Sequence, residues 1–225
     1  MKAEKISELT TARLSIYLRC LNELAAAGQK TVSSDLLAKQ FHLNSAQIRK
    51  DLAYFGEFGV RGVGYYVDEL REHLTKILGL NKDHKICIIG SGRLGTALSD
   101  YNGFRGSNFH IAALFDSDPD KIGHKVGGVE IFDIKNFSSV VKRDNIEVAV
   151  IAVPADAAEA VYQRVVDAGI RAVMNFAPVP LKSIDDVKLK TVDLTSCFEG
   201  LSYFLAGNDQ NGLAVKPKRR SRRKK

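Results

Sequence analysis

Six residues, Gly90-Ser91-Gly92-Arg93-Leu94-Gly95, restrict this chain more than any others. They follow the apolar run Ile86-Cys87-Ile88-Ile89 and precede Thr96-Ala97-Leu98, so a G-x-G-x-x-G pattern stands between a buried strand and a helix. Each glycine there has a mechanical reason. Gly90 permits a tight turn, Gly92 lets the backbone come close to a pyrophosphate, and Gly95 lets the helix pack on the strand. Phosphates would rest on backbone N–H groups at the positive end of that helix, with Ser91, Arg93 and Leu94 completing the loop.

A second feature belongs with the first. Asp116 lies twenty-one residues past Gly95, at the end of the apolar run Phe109-His110-Ile111-Ala112-Ala113-Leu114-Phe115. A carboxylate at that place accepts hydrogen bonds from an adenine ribose and repels a 2′-phosphate, which selects NAD(H) over NADP(H). The other reading of Asp116 is a cap for the Asp116-Ser117-Asp118-Pro119 turn.

Beyond Asp116, residues 121–131 read as turns and a short edge strand, residues 147–153 as a buried strand, and residues 155–167 as an alanine-rich amphipathic helix stopped by Gly169. Residues 171–176 form the next strand and residues 191–194 a last one. Strands alternating with helices imply an α/β fold, a doubly wound parallel sheet of the Rossmann type. Val153, Pro154, Asn175 and Phe176 fall at carboxyl ends of strands, where such sheets bind ligands; Phe176 reads equally well as core. Residues 197–205 form a terminal helix carrying Phe198, Leu201, Tyr203, Phe204 and Leu205. That much apolar surface must dock on its own domain or on a partner subunit.

The first 80 residues have a different rhythm. Leu14, Tyr17, Leu18, Leu21, Leu24 and Ala25 recur at helical spacing. After Gly28, residues 31–34 introduce a short second helix, residues 35–40, with a serine cap. Asn44 starts a third, with Gln47 three residues on in a capping-box arrangement. On this third helix Ile48, Leu52 and Phe55 form an apolar back, and Ala46, Arg49, Lys50 and Ala53 form a front of small and cationic residues that suits a DNA major groove. Residues 56–64 hold four glycines and then give way to Tyr65-Tyr66-Val67, the pattern of a tight hairpin with Arg61 and Gly62 at its tip. Three helices and a hairpin make a winged helix-turn-helix, with Arg61 able to enter a minor groove. A further helix, residues 68–78, leads into the glycine-loop domain, and the boundary is expected at residues 79–82.

The formal charge of +7 has to be divided along the chain. Residues 216–225 hold eight basic side chains and no acid, which leaves −1 for the rest, so the overall charge alone does not establish a polyanion-binding surface. The three cysteines have no metal-ligand spacing, and no metal site is expected. No apolar run approaches the length of a membrane span, and the N-terminus lacks the layout of a signal peptide; a cytoplasmic protein is expected.

Taken together, these residues resemble the Rex family of redox-sensing transcriptional repressors. The likeness is carried by Asn44-Ser45-Ala46-Gln47-Ile48-Arg49-Lys50-Asp51-Leu52, Phe55-Gly56-Glu57-Phe58-Gly59, Arg61-Gly62-Val63-Gly64-Tyr65, the glycine loop, and Asn175-Phe176-Ala177-Pro178. It covers residues 6–207 and implies four parts. These are a winged-helix DNA-binding domain over 1–80, an NAD(H)-binding Rossmann domain over 81–195, a domain-swapped C-terminal helix over 196–208 and a disordered basic tail over 209–225. It also implies a homodimer that holds a palindromic operator in double-stranded DNA and leaves it when NADH displaces NAD⁺. Ser45, Ala46, Gln47, Arg49, Lys50, Arg61 and Gly62 would face DNA, while Arg13, Tyr101 and Asp193 would relay the nucleotide state. Leu194 beside Asp193 leaves open which side chain meets the nicotinamide.

The rival class is an NAD-dependent oxidoreductase, or a nucleotide-binding subunit related to acyl-CoA ligases, which shares this sheet. About 35 residues follow the sheet, fewer than a substrate domain normally needs. His84, His110 and His124 have no spacing that suggests an acid–base pair, so no catalytic residue is expected.

Overall fold

The apolar stripe expected near the N-terminus is the spine of the first domain. A computed structural model describes residues 6–101 and 107–209; the basic tail lies outside these residues. The chain divides after Asp83 into two compact units.

In the first unit, α1 (Glu8–Ala26) starts at Ser7, whose side chain accepts a hydrogen bond from the Thr10 amide, and buries Leu14, Tyr17, Leu18, Leu21 and Leu24. Residues 31–32, expected to lead into a helix, are instead a short strand, β1 (Thr31–Val32). Ser33 caps α2 (Ser34–Phe41), and Asn44 caps α3 (Ser45–Phe55) by accepting from the Gln47 amide at 2.9 Å. The hairpin β2 (Gly59–Val60) and β3 (Gly64–Tyr66) joins β1 in an antiparallel sheet of order β1-β3-β2, so the wing is tied back to the helices. Gly64 has φ +95°, and a Cβ on it would stand 2.5 Å from the Val32 carbonyl oxygen; a larger residue would push the wing off β1. Then α4 (Val67–Ile77) packs on α1, helped by the Arg71 guanidinium, which donates to Asn22 at 2.9 Å.

One charged group lies inside this core. Asp51 of α3 is 4% exposed and accepts hydrogen bonds from Arg13 Nη2 at 2.8 Å and Tyr17 Oη at 2.9 Å on α1, and from Gln47 Nε2 at 2.8 Å on its own helix. Burial opposes its ionisation, yet these donors outweigh burial and hold the carboxyl below its ordinary range.

The second unit alternates strand and helix: β4 (His84–Ile89), α5 (Arg93–Ser99), β5 (Phe109–Asp116), β6 (Lys125–Val126), β7 (Val129–Asp133), a 3-10 turn at Ile134–Asn136, α6 (Phe137–Asp144), β8 (Val148–Ile151), α7 (Ala155–Asp167), β9 (Ala172–Asn175), β10 (Lys188–Thr191) and α8 (Leu194–Asp209). The sheet order is β10-β9-β8-β4-β5-β7-β6, parallel except for β6. Without β6 this is the doubly wound Rossmann order, with its switch point between β4 and β8. Both faces of the sheet are covered, which explains the unbroken apolar runs. Cys87, Ile89, Ala113, Phe115, Ala149 and Ile151 belong to one core with Phe137, Val140, Tyr162 and Val165. Their neighbours Ile86, Ile88, Leu114 and Val150 point into the other.

Some expected boundaries shift. Residues 129–131 belong to an interior strand, and the edge is β6. The last strand ends at Thr191, so residues 192–193 are a connection and α8 already begins at Leu194. Helix α6, the crossover between β7 and β8, had no counterpart in the sequence reading. Phe198, Leu201, Phe204 and Leu205 of α8 are all exposed.

Removing the Asp51 carboxylate leaves Arg13 and Tyr17 without their shared acceptor. Asp51→Ala should therefore destabilise the first unit by about 3 kcal/mol, read by urea unfolding and by hydrogen exchange of α1 and α3 amides in the full chain. A loss below about 1 kcal/mol, the worth of an exposed pair, would show that the buried network is dispensable.

Candidate nucleotide cleft and nucleic-acid surface

The glycine loop is shaped by contacts between backbones. Gly90 has φ +98°, and a Cβ on it would meet the carbonyl oxygen of Ala152 at 2.5 Å, at the switch point. A Cβ on Gly95 would collide with the carbonyl oxygen of Gly90, so α5 can lie this close to β4 only with glycine there. Gly92 caps α5 and faces open space, and among the described residues α5 has no side-chain cap. Ser91 is buried, whereas Arg93 and Leu94 are exposed. The loop thus offers backbone donors at a helix N-terminus, an arrangement suited to phosphate.

Asp116 ends β5 and fastens this loop. Its Oδ2 accepts from the Ser91 amide at 2.9 Å, from the Ser91 hydroxyl and from Lys121 Nζ at 3.2 Å, while Oδ1 accepts from the amides of Ser117 at 2.8 Å and Asp118 at 3.1 Å. Burial alone would raise its pKa; the hydrogen bonds from Ser91, the backbone and Lys121 prevail and hold it at about 2. Asp116 thus caps its own turn and also lines a cavity beside the loop.

Two cavities flank the loop. One, of about 540 Å³, is lined by Gly90, Gly92, Asp116, Lys121, Val153 and Pro154, with Arg164 at its wall. The other, of about 790 Å³, is lined by Leu94, Phe176, Pro178, Val192, Asp193 and Leu194. Of the strand-end residues singled out in the sequence, Val153, Pro154 and Phe176 line these cavities, but Asn175 does not. Its side chain is 0% exposed: Oδ1 accepts from the Ala177 amide at 2.9 Å, and Nδ2 donates to the carbonyls of Ala177 and Val179. The Asn175 side chain shapes the Ala177-Pro178-Val179 turn and lines neither cavity. Lys121, Arg164 and Val192 were missed. The signal for Lys121 was present, since Asp118-Pro119 turns the chain back towards the end of β5.

On the first unit, Ala46, Arg49 and Lys50 of α3 are exposed along one side, as are Arg61 and Gly62 at the wing tip. Arg49 Nη1 donates to Ser34 Oγ at 2.7 Å, and a concave surface runs from Ser34 and Arg49 to Arg61 and Gly62. One expected base-facing residue is engaged elsewhere: Gln47 donates to Asp51 rather than closing a capping box. Among the described residues no group of three His, Cys, Asp or Glu could hold a metal ion, and no helix is long and apolar enough to cross a membrane.

A family described as CoA binding domain matches residues 81–179, and one described as putative DNA-binding protein N-terminus matches residues 5–53. Curated relatives match over most of the chain. The redox-sensing transcriptional repressor Rex of Carboxydothermus hydrogenoformans is 48% identical over 90% of this chain and 98% of its own, and that of Syntrophomonas wolfei is 48% identical over 93% and 100%. The chain belongs to the Rex family of redox-sensing transcriptional repressors. Among solved structures, RSP in complex with β-NAD⁺ and operator DNA superposes with a TM-score of 0.87 at 38% identity, covering 92% of this chain and 95% of that one. RSP in complex with β-NADH gives 0.80 at 37%, covering 92% and 97%.

The three residues that the family resemblance assigns to a relay have distinct surroundings. Arg13 is paired with Asp51, Tyr101 is exposed just past α5, and Asp193 accepts from the amides of Thr195 and Ser196 as a cap for α8.

Gly95→Ala should cost roughly 1–3 kcal/mol, the range for overpacking, because the new methyl group meets backbone; a thermal midpoint equal to the parent's would contradict the packing described. The acidity of Asp116 gives a second measurement. Its folded pKa lies below the unfolded value of about 3.9, so its contribution to stability is complete above about pH 4 and disappears as the pH falls towards 2. The stability gap between the parent chain and Asp116→Asn should therefore be widest at neutral pH and narrow below pH 4. A gap independent of pH would contradict the assignment.

Proposed function

We propose that this chain is a homodimeric repressor that grips a palindromic operator through α3 and the β2–β3 wing and lets go when NADH replaces NAD⁺. One observation carries the reading. A phosphate-binding loop with a carboxylate at the next strand end and a winged helix with a cationic front share one chain, matched over 92% of its length by RSP bound to β-NAD⁺ and operator DNA. In this reading Ala46, Arg49 and Lys50 meet the major groove and Arg61 the minor groove. Asn44, Ser45, Gln47 and Gly62 shape that surface. The pyrophosphate rests on the N-terminus of α5, the adenosine lies in the cavity of Asp116, Val153 and Pro154, and the nicotinamide half in that of Phe176, Val192 and Asp193. The exposed apolar face of α8 covers a partner subunit as an exchanged terminal helix. Arg13, Tyr101 and Asp193 connect nucleotide state to DNA grip. The coenzyme is read and not consumed, a reading supported by relatives named as transcriptional repressors. A cytoplasmic protein fits a partner such as operator DNA.

Release is then a matter of linkage. Two arrangements of the dimer differ in operator affinity, and a coupling of about 1–3 kcal/mol changes that affinity roughly 5–150-fold. NADH acts only through its differential affinity for the two arrangements. Reciprocity follows: saturating operator must weaken NADH binding by the same factor.

Fluorescence anisotropy of a labelled palindromic duplex, with NADH titrated against NAD⁺, tests the reading. The signal should fall as NADH rises, and a flat signal through saturating NADH would sink it. Arg49→Ala and Lys50→Ala should each weaken operator binding, by about tenfold for a lost charged contact, with NADH affinity retained; joint loss of both affinities would mean a misassigned module. Sustained NADH turnover with hydroxy acids or aldehydes would favour the oxidoreductase instead.

A further inference from the structure

The acidic residue that selects against a 2′-phosphate stands beside a cation already in position. Lys121 Nζ lies 3.2 Å from Asp116 Oδ2 and 3.4 Å from Asp118 Oδ2, and Lys121, Asp116, Ser117 and Arg164 line the same cavity. In sheets of this type a cation near the ribose accommodates a 2′-phosphate, whereas a lone carboxylate rejects it. This cleft contains both, and the carboxylate stands first. Asp116 Oδ2 takes the ammonium into a charge-assisted hydrogen bond, and Asp118 supplies a second, more exposed counter-charge.

We propose that the adenosine end of the cleft is a binding site for 2′-phosphorylated nucleotides that the Asp116 carboxylate masks, with Lys121 the residue that would receive the phosphate. Selectivity for NADH over NADPH then rests on a pair and not on one acid. Asp116 repels the 2′-phosphate and occupies Lys121; neutralising Asp116 removes the repulsion and releases the cation in one step. Simple loss of the acid predicts a site indifferent to the 2′-phosphate, while the masked site predicts a preference for it. Asp118 remains close to Lys121, so neutralising Asp118 as well should enlarge the preference.

This inference rests on the dinucleotide reading of the cleft, and direct binding measurements separate the two. Titration calorimetry on the full chain would compare NADH with NADPH, and 5′-ADP with 2′,5′-ADP, for the parent, Asp116→Asn, Asp116→Ser, Asp116→Asn/Asp118→Asn, Asp116→Asn/Lys121→Met and Lys121→Met. We expect the parent to prefer NADH. Asp116→Asn and Asp116→Ser should bind NADPH about tenfold more tightly than the parent, the worth of one charge-assisted hydrogen bond, and adding Lys121→Met should abolish the gain. Lys121→Met in the otherwise unchanged chain should widen the preference for NADH, a readout that does not depend on how the Asp116 variants fold. Asp116 variants that still bind 5′-ADP but gain nothing on 2′,5′-ADP, or a NADH/NADPH ratio unmoved by Lys121→Met, would overturn the inference and leave the dinucleotide reading standing. A parent chain that binds neither NADH nor NAD⁺ would overturn both.

Discussion

The chain of α5 meets the end of β4 with no side chain between them. Gly95 lies against the Gly90 carbonyl, and Gly90 in turn lies against the Ala152 carbonyl across the switch point. This backbone contact puts the free N–H groups of α5 at the mouth of the sheet, between the two cavities. A phosphate site built from main chain needs no charged residue of its own. On the reading proposed above, selectivity is left to the neighbours at the strand ends, first among them Asp116, which ties the loop to β5 through Ser91. Position and clasp thus meet within one strand-to-helix turn.

The first unit solves a related problem with a charge. A helix that presents cations to a polyanion must be held from behind, and α3 is held by apolar Ile48 and Leu52 and by the Asp51 carboxylate. Two donors from α1 and one from α3 converge on that group. The price is a buried ion, which is stable only while its partners stay in place. Arg13, a residue that the family resemblance assigns to signal relay, is one of those partners, so a displacement of α1 would reach α3 through a short and rigid connection.

Patterns that repeat were legible in the sequence. The stripe of α1, the caps Ser33 and Asn44, the extent of α7 and the purely apolar strands follow from periodicity and capping chemistry. Roles that depend on distant partners were not. Asn175 has the right place in the sequence for a ligand contact, but its buried amide completes a local turn, accepting from the Ala177 amide and donating to the carbonyls of Ala177 and Val179. Gln47 has the spacing of a capping box, yet its side-chain amide donates to the Asp51 carboxylate one turn later. Lys121 reads in the sequence as part of a turn, and the chain reversal at Asp118-Pro119 brings it to Asp116. Strand β1 was missed because two residues carry no period, and only its pairing with the wing defines it.

The strength of the Asp116 clasp has a bearing on what a sensor of this kind confuses. A carboxylate held at a pKa of about 2 keeps its charge throughout the range in which living cells acidify. Metabolism that reduces the coenzyme pool often releases acid as well, and a selectivity residue that titrated near neutrality would blur the two messages. On the reading proposed above they stay apart at Asp116: falling cellular pH leaves the carboxylate charged and the accepted coenzyme the same, so that the nicotinamide ring alone would report the supply of electrons.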